Sequence, residues 1–157
     1  MNFVNFDGER FVFQLNRREK HLLFHTLRLY PLIPSAHHRI TQSGGNVENV
    51  PDQKLLEEAL AEQRKENKRQ LETMLKDPAR FKEVHGGYEF FLSKPQVEWL
   101  LQVLNDIRIG SWLALGSPDE KKGKAAALTK QNSQFVWFME FSGYFEMLLL
   151  GVLHGVE

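Results

Sequence analysis

Cysteine is missing from the sequence altogether, which removes thiolate nucleophiles, thiolate metal sites and any disulfide framework, and is compatible with a reducing cytoplasm. An excess of charge is missing too, because 20 Lys and Arg residues face 20 Asp and Glu residues. No long-range field steers a polyanion to the molecule as a whole, which argues against general nucleic-acid binding. The N-terminus shows no basic region leading into an apolar run and a small-residue cleavage site, so export is not expected.

The usual chemical signatures are broken wherever they begin. His21 and His25 stand one helical turn apart, but Leu22 occupies the position at which a zinc protease carries its general base. Surface or half-buried histidines are the ordinary reading of that pair and of His37 with His38. The adjacent Gly44 and Gly45 neither follow a buried strand nor open a helix at dinucleotide-binding spacing, and with Ser43 and Asn46 they mark a loop tip. Gly123 and Lys124 lack a phosphate loop's upstream glycine, replaced by Pro118, and its Ser or Thr, replaced by Ala125. No catalytic residue, metal site or cofactor is assigned.

What the chain does contain is helix. Residues 93–116 read as one long helix with both ends marked: Ser93 and Gln96 form a capping-box pattern, Pro95 suits the first turn, and Gly116 followed by Pro118 ends it. At about 100° per residue, Leu100, Val103, Leu104, Ile107, Ser111 and Ala114 share one face, opposite Glu98, Gln102 and Asn105. That is an amphipathic core helix.

Before it, 3–6 and 10–15 alternate about Asp7 and Gly8, a hairpin signal requiring positive φ in the turn. Asn16 and Glu19, again at capping-box spacing, open a helix that Pro31 ends or kinks. A charged helix follows from Pro51 to Leu75, apolar at both ends, with a polar middle over 63–70 that is expected to stay out of the core. Its Arg64, Lys65, Lys68 and Arg69 offer a basic face, joined in a nucleic-acid reading by Lys121, Lys122, Lys124 and Lys130. Glu62, Glu66 and Glu72 interleave with them, so a solvated, ion-paired face is favoured. After Gly86 and Gly87, 88–92 suits a strand beside the hairpin.

The last element, from Ser133 to about Leu153, is apolar nearly all round. It could just span a bilayer, but Glu140 and Glu146 would each cost about 2.5 to 3.5 kcal/mol at mid-membrane. A buried central helix is therefore expected, with a subunit interface as the second reading. The expected architecture is mainly α: one domain over 1–157, about four helices around a buried C-terminal helix, with a small β-hairpin at 3–15 or a three-stranded sheet.

The polar residues that exceed packing needs are Asn105, Asp106, Arg108, Glu140 and Glu146. Arg108 falls beside Val97, Leu101 and Leu104, so its head is expected to be partly buried and paired with Glu140 or Glu146. Asp106 lies on nearly the opposite side and is not its natural intrahelical partner. A small enzyme using Asp106 and Arg108 with Glu140 or Glu146 is one alternative, and nucleic-acid binding through the charged helix is another.

The segment carrying Trp99, Leu100, Leu104, Asn105, Asp106 and Arg108 resembles the most recognisable stretch of a bacterial family of unknown function, an actinobacterial-type domain often encoded near the Clp protease adaptor. Tyr144, Leu148 and Leu150 are similar to that family's final helix, whereas its glutamine-glutamate pair is replaced by Gly151 and Val152. The resemblance implies a link with regulated proteolysis and supplies no activity. The expected function is protein–protein interaction or regulation in the bacterial cytoplasm, through a helical face or homo-oligomerisation.

Overall fold

The computed structural model describes residues 1–33 and 50–155 of the 157-residue chain. His37, His38 and the expected loop tip at 43–46 lie outside the described residues. In chain order the elements are β1 (Asn2–Phe6), β2 (Arg10–Leu15), α1 (Arg17–Leu27), α2 (Val50–Lys76), β3 (Phe81–Val84), β4 (Gly87–Ser93), α3 (Lys94–Ala114) and α4 (Gln134–Gly155), with a short 3-10 turn at Glu120–Lys122. Among the described residues each half thus runs strand, strand, helix, helix.

The two hairpins join into one antiparallel sheet of order β1-β2-β4-β3. Central strands β2 and β4 pair from Arg10 opposite Ser93 to Leu15 opposite Tyr88. Each of these strands feeds straight into a capped helix. Asn16 accepts from the Glu19 N–H at 2.9 Å while Glu19 accepts from the Asn16 N–H at 2.8 Å. Ser93 and Gln96 repeat the exchange at 3.4 and 2.8 Å. Both expected capping boxes are formed, and Gly116 has the expected left-handed φ of 83°.

The β1–β2 turn differs from the two-residue form. Only Gly8 has positive φ, and the Asp7 carboxylate accepts from the Glu9 and Arg10 N–H groups at 3.0 and 2.7 Å, so an Asx turn closes the loop over 7–9.

The mainly helical expectation is overturned by the sheet, since four strands and four helices make a mixed α/β fold among the described residues. The strand that sequence reading passed over is β3. It has only four residues, two of them charged, and is held by pairing with β4 and by the Phe81 ring stacked 4.6 Å from Phe90.

The second correction concerns the centre of the core, which is α3 and not the C-terminal helix. α3 buries Val97, Leu100, Val103, Leu104 and Ile107 against Phe11, Phe13, Leu15, Phe90 and Leu92 of the sheet. α4 lies against α3 and buries only Phe138, Ser142, Phe145, Leu149 and Val152, a single stripe of alternating four- and three-residue spacing.

Gly110 marks a close approach within this core. A Cβ there would lie 2.7 Å from Leu32 Cγ and 2.9 Å from the Leu32 carbonyl carbon. Gly110→Ala is expected to destabilise the fold by about 1 to 3 kcal/mol through overpacking, although alanine is the better helix former. Urea denaturation checks this, and a midpoint equal to or above the wild type's would contradict the contact.

Candidate functional site

The polar middle of α2 is largely solvated, with Gln63, Lys65, Lys68, Arg69 and Gln70 exposed, but its inner side is not. Its stripe continues from Leu60 through Arg64 and Asn67 to Leu71 and Met74 at four- and three-residue spacing, so two polar residues sit on the face that docks. The Asn67 side chain, only 5% exposed, donates to the Tyr30 hydroxyl at 3.1 Å and accepts from Trp99 Nε1 at 3.1 Å and Gln63 Nε2 at 3.0 Å. One amide thereby joins the segment after α1 to α2 and α3. Burial pushes the Tyr30 phenol above its ordinary range. The Asp106 charge adds to that rise, while Asn67 and Arg64 oppose it.

Asp106 belongs to this network. It is buried and accepts from the backbone N–H groups of Leu32 and Ile33 at 2.8 and 3.4 Å, with Arg64 Nε 3.7 Å from its other oxygen. Its arrangement is that of a clamp, fixing the segment after α1 against α3. Arg64 therefore turns inward, and Arg69 is paired with Glu66 at 2.6 Å, which removes two of the four cations of the expected basic face.

Arg108 points elsewhere. Its Nε lies 2.8 Å from Glu146 on α4, and its guanidinium also donates to Asn105 at 2.8 Å. The partner is one of the two expected from sequence. The burial is reversed, because the Arg108 side chain is 44% exposed and Glu146 only 13%. Asn105, Arg108 and Glu146 thus converge, whereas Asp106 faces α2 and Glu140 lies on the exposed side of α4. The acid/base constellation of Asp106, Arg108 and a glutamate is not assembled.

Burial raises the Glu146 carboxyl above its ordinary 4.5, opposed by the charge and hydrogen bond of Arg108. With the higher value in the folded state, the folded protein binds the extra proton. The group's contribution to stability therefore declines as pH rises from the ordinary value through the folded one. Arg108→Met is expected to move the titration midpoint of Glu146 further up, read from its carboxyl carbon by NMR. A midpoint that stays put or drops would show that the guanidinium does not act on it.

The remaining feature is an apolar one that residue-by-residue chemistry did not single out. Between α1 and α4 runs a groove of about 580 Å³, walled by Leu22, Trp137, Phe141, Tyr144 and the carboxylate-bearing Glu19 and Glu140. It opens onto the outer face of α4, where Trp137 is 66% and Met147 76% exposed. His21 and His25 are exposed on α1, with parallel rings 6.4 Å apart and the His25 ring 5.4 Å from Phe138 of α4. Among the described residues no third ligand completes a metal set with them.

The fold and this face define a two-layer α/β protein whose apolar helix α4 is buried, among the described residues, along one stripe only. Among known proteins no family model, no curated sequence and no solved structure matches the chain.

Proposed function

We propose that the protein is a protein–protein interaction or regulatory module whose docking surface is the outer face of α4 together with the α1–α4 groove. One observation carries the reading. α4 has 22 residues and is apolar enough to cross a membrane, yet only 28% of its most apolar window is buried. Large apolar residues left outward on a single helix mark an interaction surface. The carboxylates argue for a polypeptide occupant over hydrocarbon: Glu140 stands in the exposed face, and Glu146 is tied to Arg108. The resemblance at 99–108 supports a regulatory role linked to proteolysis in the bacterial cytoplasm, and that link is part of the proposal.

A photo-crosslinking residue at Met147 tests it in cells producing the full chain. A polypeptide adduct is expected from position 147 and not from Glu98, which is exposed on α3. Equal labelling from both positions, or adducts with lipid alone, would overturn the reading.

A further inference from the structure

The outward residues of α4 are not scattered. Trp137, Glu140, Tyr144, Met147, Gly151 and His154 are all exposed and follow one another at alternating three- and four-residue spacing. That is the spacing of a coiled-coil seam, which stays on one face of a helix when a second helix runs along it. α4 therefore carries two seams. The inner one, Phe138 to Val152, is covered by α3; the outer one is exposed along its length, touching the start of β1 at Tyr144 and bordering the α1–α4 groove at Trp137, Glu140 and Tyr144.

We propose that the outer seam is covered by a second copy of this chain, the two α4 helices running antiparallel about a two-fold axis between Tyr144 and Met147. This rests on the interaction reading above and names its partner. The seam is self-complementary about that axis, as an isologous contact requires. Tyr144 meets the partner's Met147, an aromatic ring against a thioether, which is a favourable pairing. Glu140 meets the partner's Gly151, where nothing lies within 4 Å of the Cβ position, so there is room for the longer side chain. The partner's His154 is one turn beyond, and its imidazole N–H can donate to that carboxylate. Trp137 then lies against the same imidazole. A parallel pairing would instead set Glu140 against its own copy, placing two like charges in the seam.

The area is sufficient. The uncovered parts of Trp137, Tyr144, Met147 and Leu150 present roughly 500 Å² per copy, taking aromatic side chains at about 150 to 250 Å² each. Two copies would bury about 1,000 Å², the lower bound of a biological interface. Tyr144 extends the patch to the start of β1 by donating to the Met1 carbonyl at 3.3 Å, next to the half-exposed Phe3.

The test uses the absence of cysteine from the natural chain. Glu140→Cys and Gly151→Cys proteins, mixed and oxidised, are expected to give a mixed disulfide. Each alone should give little, because in the antiparallel pair identical positions lie about 16 Å apart along the axis. In sedimentation velocity the wild type is expected to be dimeric, and Met147→Lys to weaken the dimer about 100-fold with an unchanged circular dichroism spectrum. A monomer at roughly 200 µM, a dimer indifferent to Met147→Lys, or single variants that crosslink better than the mixture would each overturn the proposal. A monomer whose position-147 adduct contains a different polypeptide overturns the second copy and leaves the interaction reading standing. A monomer with no polypeptide adduct removes both.

Discussion

Replacing Asp106 by alanine is expected to lower the unfolding free energy by about 3 to 5 kcal/mol, the range for removing one partner of a buried charge pair. Asp106 is 8% exposed, and the Leu32 and Ile33 N–H groups aim at its carboxylate while Arg64 approaches the second oxygen. Alanine leaves those donors facing an apolar wall, and an unmatched buried donor loses its full hydration. Asp106→Asn keeps one acceptor for the Leu32 N–H and should lose less. Both are read from urea midpoints. If the alanine variant unfolded at the wild-type midpoint, the clamp would not be structural and the carboxylate would again be free for another role.

Phe90→Ala should cost about as much, 3 to 5 kcal/mol on the usual scale for a buried phenylalanine, or a fall of order 10 °C in Tm. Phe90 is fully buried on β4, stacked on Phe81 of β3 and 6.4 Å from Phe13 of β2. It thus ties the strand hidden from sequence reading to the centre of the sheet. Its neighbour Phe91 is half-buried on the other face, with Arg10 5.0 Å above its ring. Phe91→Ala is expected to cost no more than about 1 kcal/mol. Equal losses at the two positions would mean that the sheet has no preferred inner face.

The helix starts were legible because caps are local. Asn16 with Glu19 and Ser93 with Gln96 satisfy backbone donors within four residues of themselves, whatever the rest of the chain does. The β2–β4 pairing was half legible, since both strands alternate, but β3 was not. Four residues with two charges carry too little apolar pattern to stand out, and their stability comes from the neighbour strand.

Among polar residues, the Arg108–Glu146 contact could be narrowed to two candidates because a guanidinium on an apolar helix calls for a carboxylate. The role of Asp106 could not. Its partners are backbone groups 73 and 74 positions away in sequence, and no side-chain pattern announces a backbone donor. Asn67 left a signal that polarity obscured, for it continues the stripe of Leu60, Leu71 and Met74. With no apolar residue over 63–70, the whole of that stretch read as solvated, although a polar residue can be buried when its hydrogen bonds are met.

By itself, then, the sequence determined where helices begin, which face of α3 is apolar, and that α4 has apolar side chains in nearly every direction. Those properties depend on residues a few positions apart. Only the tertiary structure decided that α3 is central and α4 peripheral. A helix apolar on all sides is equally satisfied by any covering, and what covers it depends on the sheet and α3 occupying one stripe. The stripe they leave open, from Trp137 to His154, is a product of that packing.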